Sequence, residues 1–426
     1  MPTPSLLIVP ARFKTGKLYS QIPTSGAGDF TVTRATAATR VNASGLIVSV
    51  ASGIPRLDYF ASGGTVGCPA LLVEPSGSNL ALQSENFLTT WSPTNITVTT
   101  GSTAAFTAPD GTTSADLLTA SASGSARIIQ SFSFVSGTTY TYSAFAKAGS
   151  GFFGLTMENG GVASGAAVIW NLNTGALAVS GVAGAGYTLQ SQGIENYGNG
   201  WYRCRMTVLL GLGVAGNIRA NTSNGTMSTV VIQSASGNTA YVWGAQLETG
   251  SVATSYIPTT TGSVTRNADV VAVSGAVSGS IGQTEGTIYA EVDLRNVNIG
   301  GKTILNISEG TTANRIDFGI SNSNLFYIIR ISATQSTSTV VTVSGAVTAG
   351  IYKIAVGYKS GDTRMYINGL PATSQITDTF TFVNALSKFN IGSSRDNIVQ
   401  LNDRIRAAAL YTTRLTNDQL AAITQL

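Results

Sequence analysis

The fold is decided by two stretches that bracket the middle of the chain, Pro69-Ala-Leu-Leu-Val-Glu-Pro-Ser-Gly-Ser-Asn-Leu80 and Tyr241-Val-Trp-Gly-Ala-Gln-Leu-Glu-Thr-Gly-Ser-Val-Ala-Thr-Ser-Tyr-Ile-Pro258. The second is followed by Thr265-Arg-Asn-Ala-Asp269. Both combine apolar runs with Gly, Pro and Ser, a pattern typical of strands that end in tight turns. They indicate a β-rich scaffold, and neither contains a catalytic motif.

The composition favours strands over long helices. Only 10% of the 426 residues are charged, against about a quarter in a typical globular protein. Long surface helices would need more Lys and Glu, whereas 48 glycines favour short strands and tight turns. We therefore predict an all-β protein, and the length suggests two or three domains.

Several kinds of chemistry are excluded by residues that the chain lacks. It has no histidine, so it cannot use a Ser–His or Cys–His pair or a histidine metal ligand. Its two cysteines, Cys68 and Cys204, cannot complete a zinc site alone, and their spacing does not show whether they are close. The net charge of +4 is too small and dispersed to predict a nucleic-acid partner. We expect no catalytic residue, no resident metal and no cofactor.

The amino-terminal residues predict where the chain is made. Residues 1–10 have no charged region, and their apolar run is too short for a secretory signal. No stretch approaches the ~18 apolar residues of a membrane span. We therefore expect synthesis in a host cytoplasm, without membrane insertion.

Local patterns distinguish three parts of the chain. Residues 1–78 contain seven of the 11 prolines, which argues against central strands and predicts an irregular segment. In residues 200–208 and again in 287–294, apolar side chains alternate with polar ones, as in half-buried strands. Thr416 and Gln419 have the spacing of a capping box, which predicts a short C-terminal helix.

The motifs resemble those of structural proteins of tailed bacteriophages, in fibres and other virion appendages. The two bracketing stretches are similar to the borders of a β-sandwich module in these proteins. Asn199-Gly-Trp-Tyr-Arg203 and Trp243-Gly-Ala-Gln-Leu-Glu248 resemble jelly rolls of the carbohydrate-binding type. Tyr366-Ile-Asn-Gly369 and Phe389-Asn-Ile-Gly392 resemble the concanavalin A-like, laminin-G-like sandwich.

This resemblance implies a division of the chain. An irregular N-terminal docking segment over residues 1–78 would attach to other virion proteins. Two antiparallel β-sandwich (jelly-roll) domains would follow, a carbohydrate-binding-module-like jelly roll over 79–268 and a laminin-G-like sandwich over 269–426. The resemblance also implies a location in the virion and a homo-oligomer, with a trimer as the expected state.

Sugar recognition needs an aromatic face for the C–H bonds of the ring, beside groups that bond its hydroxyls. In the middle segment the candidates are Tyr197, Asn199 and Trp201, although a tryptophan in a strand is more often part of a core. In the third segment the sequence predicts a polar and aromatic rim, formed by Tyr327, Tyr358, Asp362, Arg364 and Tyr366. Turn and strand chemistry also explains each of these residues without a ligand.

Calcium is an optional ion in this prediction, because acidic and amide residues supply the oxygen atoms that it binds. The oxygens would come from Asp317, Asn322, Asn324, Asp396 and Asp403. The sequence contains no dense Asp-x-Asp run, so it does not mark these residues as a calcium loop.

We predict a structural protein of a phage particle, which forms a fibre, spike or decoration and contacts host-surface glycans. Two alternatives stay open. A purely architectural protein would cement a capsid or tail without binding sugar. A glycan depolymerase would need two carboxylates; Glu291 and Asp293 share one face of a predicted strand, but they are most simply solvent-exposed. We therefore predict that the protein is not an enzyme.

Overall fold

Alternating apolar and polar residues fold into antiparallel strands along most of the chain. The computed structural model describes residues 2–159, 164–211, 213–297, 300–332, 335–341 and 346–426. Within these ranges every paired strand is antiparallel to its neighbour. The prediction of an all-β fold with a short C-terminal helix is confirmed.

The strands fall into three groups along the chain. The first group consists of β1 Leu6–Ile8, β2 Phe13–Lys14, β3 Lys17–Leu18, β4 Phe30–Thr33, β5 Ala38–Val41, β6 Ile47–Val50, β7 Leu57–Ala61, β8 Gly64–Val73 and β9 Gly77–Asn79. The second group consists of β10 Ser92–Thr94, β11 Ile96–Thr100, β12 Asp116–Ala120, β13 Arg127–Phe134, β14 Thr138–Ala148, β15 Phe152–Asn159, β16 Gly165–Asn171, β17 Ala176–Ala183, β18 Tyr187–Gly198, β19 Trp201–Leu210, β20 Val214–Ser223, β21 Met227–Ser228, β22 Val231–Ile232 and β23 Thr239–Thr249. The third group consists of β24 Val264–Arg266, β25 Val270–Ser274, β26 Glu285–Leu294, β27 Lys302–Ser308, β28 Arg315–Ile320, β29 Phe326–Ser332, β30 Gln335–Val341, β31 Gly350–Lys359, β32 Arg364–Ile367, β33 Leu370–Pro371, β34 Lys388–Ile391 and β35 Asp403–Tyr411, before the helix α1 Asn417–Thr424. Two short 3₁₀ helices cover Ala104–Phe106 and Ala276–Ser280.

Strands from both ends of the chain build one sandwich, here called the terminal sandwich. One of its sheets has the order β33-β32-β31-β26-β35-β8-β7, and β1 also pairs with β35. The other has the order β2-β3-β4-β25-β34-β27-β28-β29-β30. The first group of strands therefore contributes to both sheets.

This pairing differs from the irregular docking segment that the prolines predict for residues 1–78. Six of the seven prolines lie outside the strands, where a missing N–H removes no ladder hydrogen bond. The seventh, Pro69, lies in β8 between the two stretches that pair with β7, where the register shifts. Prolines at strand ends and at a bulge are compatible with a sheet, so their number does not predict an unpaired segment.

The middle of the chain forms a second sandwich, here called the inserted sandwich. Its sheets have the orders β10-β13-β20-β15-β16-β17 and β11-β12-β23-β14-β19-β18. Strand β9 precedes the inserted sandwich in the sequence and strand β24 follows it. The two strands pair with each other, so that Asn79 lies opposite Val264. Because entry and exit are adjacent, the insert interrupts the chain of the terminal sandwich without separating its sheets.

The two cysteines lie in different environments. Cys204 is buried in the core of the inserted sandwich, and burial raises the pKa of its thiol well above the ordinary value. Cys68 is exposed on β8, and both thiols are free.

The two sandwiches meet on the outer face of the sheet that contains β14, β19 and β23. The hairpin β5–β6 and strand β7 of the N-terminal part pack there. The buried side chains of this junction include Val41, Ile47, Phe60, Phe145, Trp201, Trp243 and Tyr256. This apolar contact holds the two sandwiches against each other.

Candidate functional site

A depression on the nine-stranded sheet of the terminal sandwich brings together an aromatic ring, charged groups and amides. It encloses about 400 Å³ on the outer face of β27, β28 and β29, and the loop of residues 394–399 forms its rim. The alternation of the strands decides which residues face it. Ile316 and Phe318 are buried in the core, so Arg315 and Asp317 point outward between them.

Tyr327 crosses this depression. It lies opposite Gly319 on β28, and Gly319 lies opposite Thr303 on β27. The Tyr327 hydroxyl is 3.3 Å from the Thr303 hydroxyl, two strands away, a separation of roughly 10 Å between backbones. The half-buried ring must therefore lie along the sheet to reach it. Burial raises the pKa of Tyr327 to about 12.

Gly319 makes this arrangement possible because no side chain stands between Tyr327 and Thr303. A Cβ at this position would collide with the carbonyl oxygen of Lys302, so no larger residue fits without moving the backbone. Tyr327 lines the depression and is half-buried, so part of its ring is accessible from the depression. An aromatic face in this orientation can pack against the C–H bonds of a ligand.

Charged and amide groups lie next to the ring. Arg315 donates from Nε to Asp317 Oδ2 over 2.7 Å, and Asn306 donates to the other carboxylate oxygen. Burial raises the pKa of Asp317, although the bonds from Asn306 and the charge of Arg315 oppose this effect. At the rim, Ile398 is 73% exposed and adds an apolar surface.

The structure places the candidates of the inserted sandwich differently from the prediction of an open sugar platform. Tyr197, Asn199 and Trp201 do lie together, around a small cavity of about 240 Å³. The Trp201 ring is only 2% exposed, and its Nε1 donates to the carbonyl of Thr107 over 2.9 Å. Lys147 lies 5.2 Å from the centre of the same ring. The alternative of a core tryptophan describes Trp201 better.

Tyr197 is also part of the junction. Its ring centre lies 4.4 Å from that of Phe60 and 4.9 Å from that of Phe145. Burial is the main reason that its pKa is raised to about 12. Asn199 lies in the turn before β19 with a φ of 51° and is exposed. The three residues thus serve packing and a turn, and the rings are not free to receive a sugar.

The five residues of the predicted rim are not brought together. Tyr327 lies on one sheet, whereas Tyr358 and Tyr366 lie on β31 and β32 of the other sheet. Tyr358 is buried in the core and donates to the carbonyl of Gly282 over 2.6 Å. Tyr366 is buried beneath α1, beside Leu415 and Leu420. The five residues therefore do not form one rim, and of the five only Tyr327 lines the depression.

The polar members of that rim have partners near the C-terminal helix. Asp362 accepts a hydrogen bond from Arg414 over 3.1 Å. Arg364 donates to the side chain of Gln375 over 3.3 Å. These contacts fix the hairpin β31–β32.

The depression fits calcium poorly. Asp317, Asn322 and Asp396 line it, but Asp317 already accepts from Arg315 and Asn306. In the ranges that the structure describes, no group of three His, Cys, Asp or Glu side chains is placed to hold a metal. A calcium site needs six to eight oxygen ligands, more than the side chains of these three residues supply.

The remaining calcium candidates have other partners. Asn324 donates to the carbonyl of Val347 over 2.5 Å. Asp403 is buried, and its Oδ2 lies 2.9 Å from the Nζ of Lys302. The two carboxylates considered for a depolymerase are paired as well, Glu291 with Arg406 at 2.6 Å and Asp293 with Arg295 at 2.8 Å.

Comparisons with known proteins agree with this fold. Residues 265–421 match the Laminin_G_3 family model, described as the concanavalin A-like lectin/glucanases superfamily. None of the curated proteins matches the chain. No helix within the described ranges is both long and apolar enough to cross a membrane.

Several solved structures match parts of the chain at low identity. A CBM40 module of the Ruminococcus gnavus IT-sialidase, bound to α2,6 sialyllactose, is 16% identical; the match covers 35% of this chain and 87% of that one, with a TM-score of 0.30. A SAP-like pentraxin from Limulus polyphemus is 13% identical over 32% of this chain and 68% of that one, with a TM-score of 0.26. Domain 4 of the arabinanase AbnA from Geobacillus stearothermophilus, in complex with arabinotriose, is 15% identical over 41% and 82%, with a TM-score of 0.29.

Proposed function

We propose that this protein binds glycans in the depression around Tyr327. The observation that carries the proposal is the Tyr327 ring, which lies along the sheet over Gly319 with the Arg315–Asp317 pair beside it. The match of residues 265–421 to a family that includes lectins supports the same conclusion.

The chemistry of the depression suits a sugar ring. The exposed face of Tyr327 would pack against the apolar face of the sugar. Asp317 would accept from hydroxyl groups, while Arg315 and Asn322 at the edge would donate to them. Such a shallow site binds weakly, so several copies on one particle would raise the apparent affinity.

The setting that we propose is a phage particle, on which the protein forms a fibre, spike or decoration. The support is the resemblance of the two bracketing stretches to virion proteins. Attachment to other virion proteins would use exposed parts of residues 1–78, where Val9 and Phe13 are about two-fifths exposed and the basic residues Arg12 and Lys14 lie beside them. A homo-oligomer, with a trimer as the expected state, belongs to the same proposal.

A glycan array tests the binding function. We expect the full chain to bind a subset of glycans, and Tyr327→Ala to weaken that binding about tenfold while thermal unfolding stays cooperative. Tyr59→Ala is the matched control, because Tyr59 is also half-buried on a strand but lies outside the depression. No binding to any glycan, or equal binding by the wild type and Tyr327→Ala, would overturn the proposal.

Two further measurements separate the alternatives. Release of oligosaccharides from a bound glycan, abolished by one carboxylate substitution, would establish a depolymerase. Electron microscopy of purified particles with a labelled antibody tests the setting. Label at an exposed tip supports host contact, label flat on a shell or tail wall supports an architectural role, and the absence of label from particles contradicts a virion protein.

A further inference from the structure

A larger cavity lies between the two sandwiches, and we call it the interdomain cleft. It encloses about 880 Å³. From the inserted sandwich, Gln190, Arg205 and Thr207 line it on the outer face of β18 and β19. Residues 250–252 line it after β23, and residues 295–297 line it from the terminal sandwich. No residue lines both this cleft and the Tyr327 depression.

The charged residues that line the cleft are both arginines. Arg295 is neutralised by Asp293, whose carboxylate oxygen lies 2.8 Å from its Nη2. Arg205 has neither an ion pair nor a hydrogen bond to any side chain or backbone group in the part of the chain that the structure describes. The carboxylates of Glu195 and Glu248, on the same sheet, do not line the cleft. Within the described residues, the guanidinium of Arg205 therefore faces the cleft with no ion-pair partner.

The position of Arg205 is fixed by the strand beside it. Arg205 lies directly opposite Gly193 on β18. A Cβ on Gly193 would come within 2.8 Å of the guanidinium carbon, so the side chain of Arg205 lies flat against the backbone of this glycine. A guanidinium held in this way keeps its planar set of donors oriented, and that geometry matches a carboxylate or sulfate.

Neutral polar groups surround this guanidinium. Gln190 accepts from the Thr139 hydroxyl over 3.4 Å through its carbonyl oxygen, which leaves its amide nitrogen as a donor. Asn296 donates to the carbonyl of Asn402 over 2.8 Å, which leaves its side-chain oxygen as an acceptor. Thr207 shares a hydrogen bond of 2.9 Å with Thr141 at the base. Donors and acceptors of this kind suit sugar hydroxyls.

We infer that the interdomain cleft binds an acidic saccharide, with the anionic group on Arg205 and the hydroxyls on the neutral side chains around it. An uncompensated guanidinium favours an anion over a neutral sugar, and the volume is sufficient for more than one sugar unit. The ligand would contact both sandwiches. The site is separate from the Tyr327 depression, because the two are lined by different residues.

Calorimetric titration of the full chain with three probes tests this inference. Oligogalacturonate supplies carboxylates, dextran sulfate supplies sulfates, and oligogalacturonate with its carboxyl groups reduced to alcohols is the neutral counterpart. We expect oligogalacturonate to bind at least about tenfold more tightly than its reduced form, since hydrogen bonds to charged groups are the stronger ones. Binding of dextran sulfate through Arg205 would assign the site to sulfated sugars instead of uronic acids.

Arg205→Gln should weaken binding of the anionic probe about ten- to a hundredfold. Lys359→Gln removes the same charge from an exposed position outside the cleft and should change binding less than about twofold. Ser251→Trp fills the cleft from its edge and leaves Arg205 in place, so it tests the site even if Arg205→Gln fails to fold. Tyr327→Ala should bind the anionic probe with the same affinity as the wild type. Unchanged affinity in both cleft variants, or no binding of either anion by the wild type, would overturn the inference.

Discussion

The guanidinium of Arg34 lies 2.9 Å from the carboxylate of Asp269, although 235 positions of sequence separate them. Asp269 also accepts hydrogen bonds from Arg56, which in turn donates to Glu74 over 2.6 Å. Arg266 completes the cluster, with Nη1 at 3.4 Å from Glu74. All five side chains are buried. The cluster joins the end of the N-terminal part to the first strands after the inserted sandwich.

Replacement of Asp269 by Asn should destabilise the protein strongly. The amide keeps the shape of the side chain but leaves the buried guanidinium groups of Arg34 and Arg56 without their shared counter-charge. We expect a loss of about 3–5 kcal/mol in the free energy of unfolding, because breaking a buried ion pair leaves an uncompensated charge. Denaturant unfolding measures this loss.

Glu285→Gln is the control, since it makes the same chemical change in an exposed pair. Glu285 lies 3.1 Å from Lys359, and the two side chains are 32% and 56% exposed. Exposed pairs contribute less than about 1 kcal/mol. Similar losses in the two variants would show that the buried cluster has no special role.

The same cluster predicts how stability depends on pH. Burial alone would raise the pKa of Glu74, but the charges of Arg56 and Arg266 and the hydrogen bond from Ser255 outweigh it and hold the pKa well below its usual range. A carboxyl whose pKa is lowered in the folded state contributes stability above its unfolded pKa of about 4.3, and this contribution is lost as the pH falls.

The free energy of unfolding of the wild type should therefore exceed that of Glu74→Gln most at neutral pH. The difference should shrink as the pH falls below about 4. Denaturant titrations of both proteins between pH 7 and 3 measure it, and subtraction removes the contributions of other carboxyl groups. A difference that stays constant over this range would show that folding does not lower the pKa of Glu74.

The individual strands could be predicted from the sequence, but their partners could not. The alternation in residues 287–294 gives the buried side of β26 correctly, with Ile288 and Val292 in the core. The pairing of Leu6 with Leu410, in contrast, joins the two ends of the chain. No local pattern encodes such a contact, because period-two alternation fixes the face of a strand and not the strand beside it.

The candidate site could be predicted only in part for a related reason. Tyr327 was recognisable as an aromatic residue on a strand, whereas its neighbours Arg315 and Thr303 depend on the register of three strands. The exposure of Tyr366 and of Trp201 could not be predicted, because it depends on what covers the outer face of each sheet. Helix α1 covers Tyr366, and the N-terminal hairpin covers Trp201.

Removal of residues 1–78 should unfold the terminal sandwich. It deletes strands from both sheets and the following buried core residues, Leu6, Ile8, Leu18, Phe30, Val32, Leu57, Leu71 and Val73. We expect residues 79–426 to lose the near-ultraviolet circular dichroism signal and the cooperative transition of this sandwich, because its core cannot close. A detachable docking segment would predict the opposite result.

The control for this deletion is a chain that begins at Ser5. It lacks only residues before β1 and keeps the hydrogen bond from the Ser5 amide to the carbonyl of Leu410. It should unfold as the complete chain does. If residues 79–426 also unfold in the same way as the complete chain, the N-terminal strands are not required for this sandwich.

The C-terminal helix offers a smaller local test. The Thr416 hydroxyl accepts from the Gln419 amide, and the Gln419 side chain accepts from the Thr416 amide over 2.9 Å, which confirms the predicted capping box. Thr416→Ala should cost about 1 kcal/mol. Hydrogen exchange should accelerate in α1, and exchange in the inserted sandwich should stay unchanged; uniform acceleration would contradict a local role.

Trp201 and Tyr327 should respond to substitution in opposite ways, although both were candidates for sugar contact. Trp201→Ala empties a buried position and loses the hydrogen bond to Thr107, so it should cost about 3–5 kcal/mol of stability. Glycan binding by the fraction that stays folded should not change. Tyr327→Ala should lose binding with a much smaller loss of stability, because the ring is only half-buried.

Thermal unfolding of both variants measures the loss of stability, and glycan titration below their unfolding transitions measures the loss of binding. Loss of glycan affinity in folded Trp201→Ala would move the sugar site to the inserted sandwich.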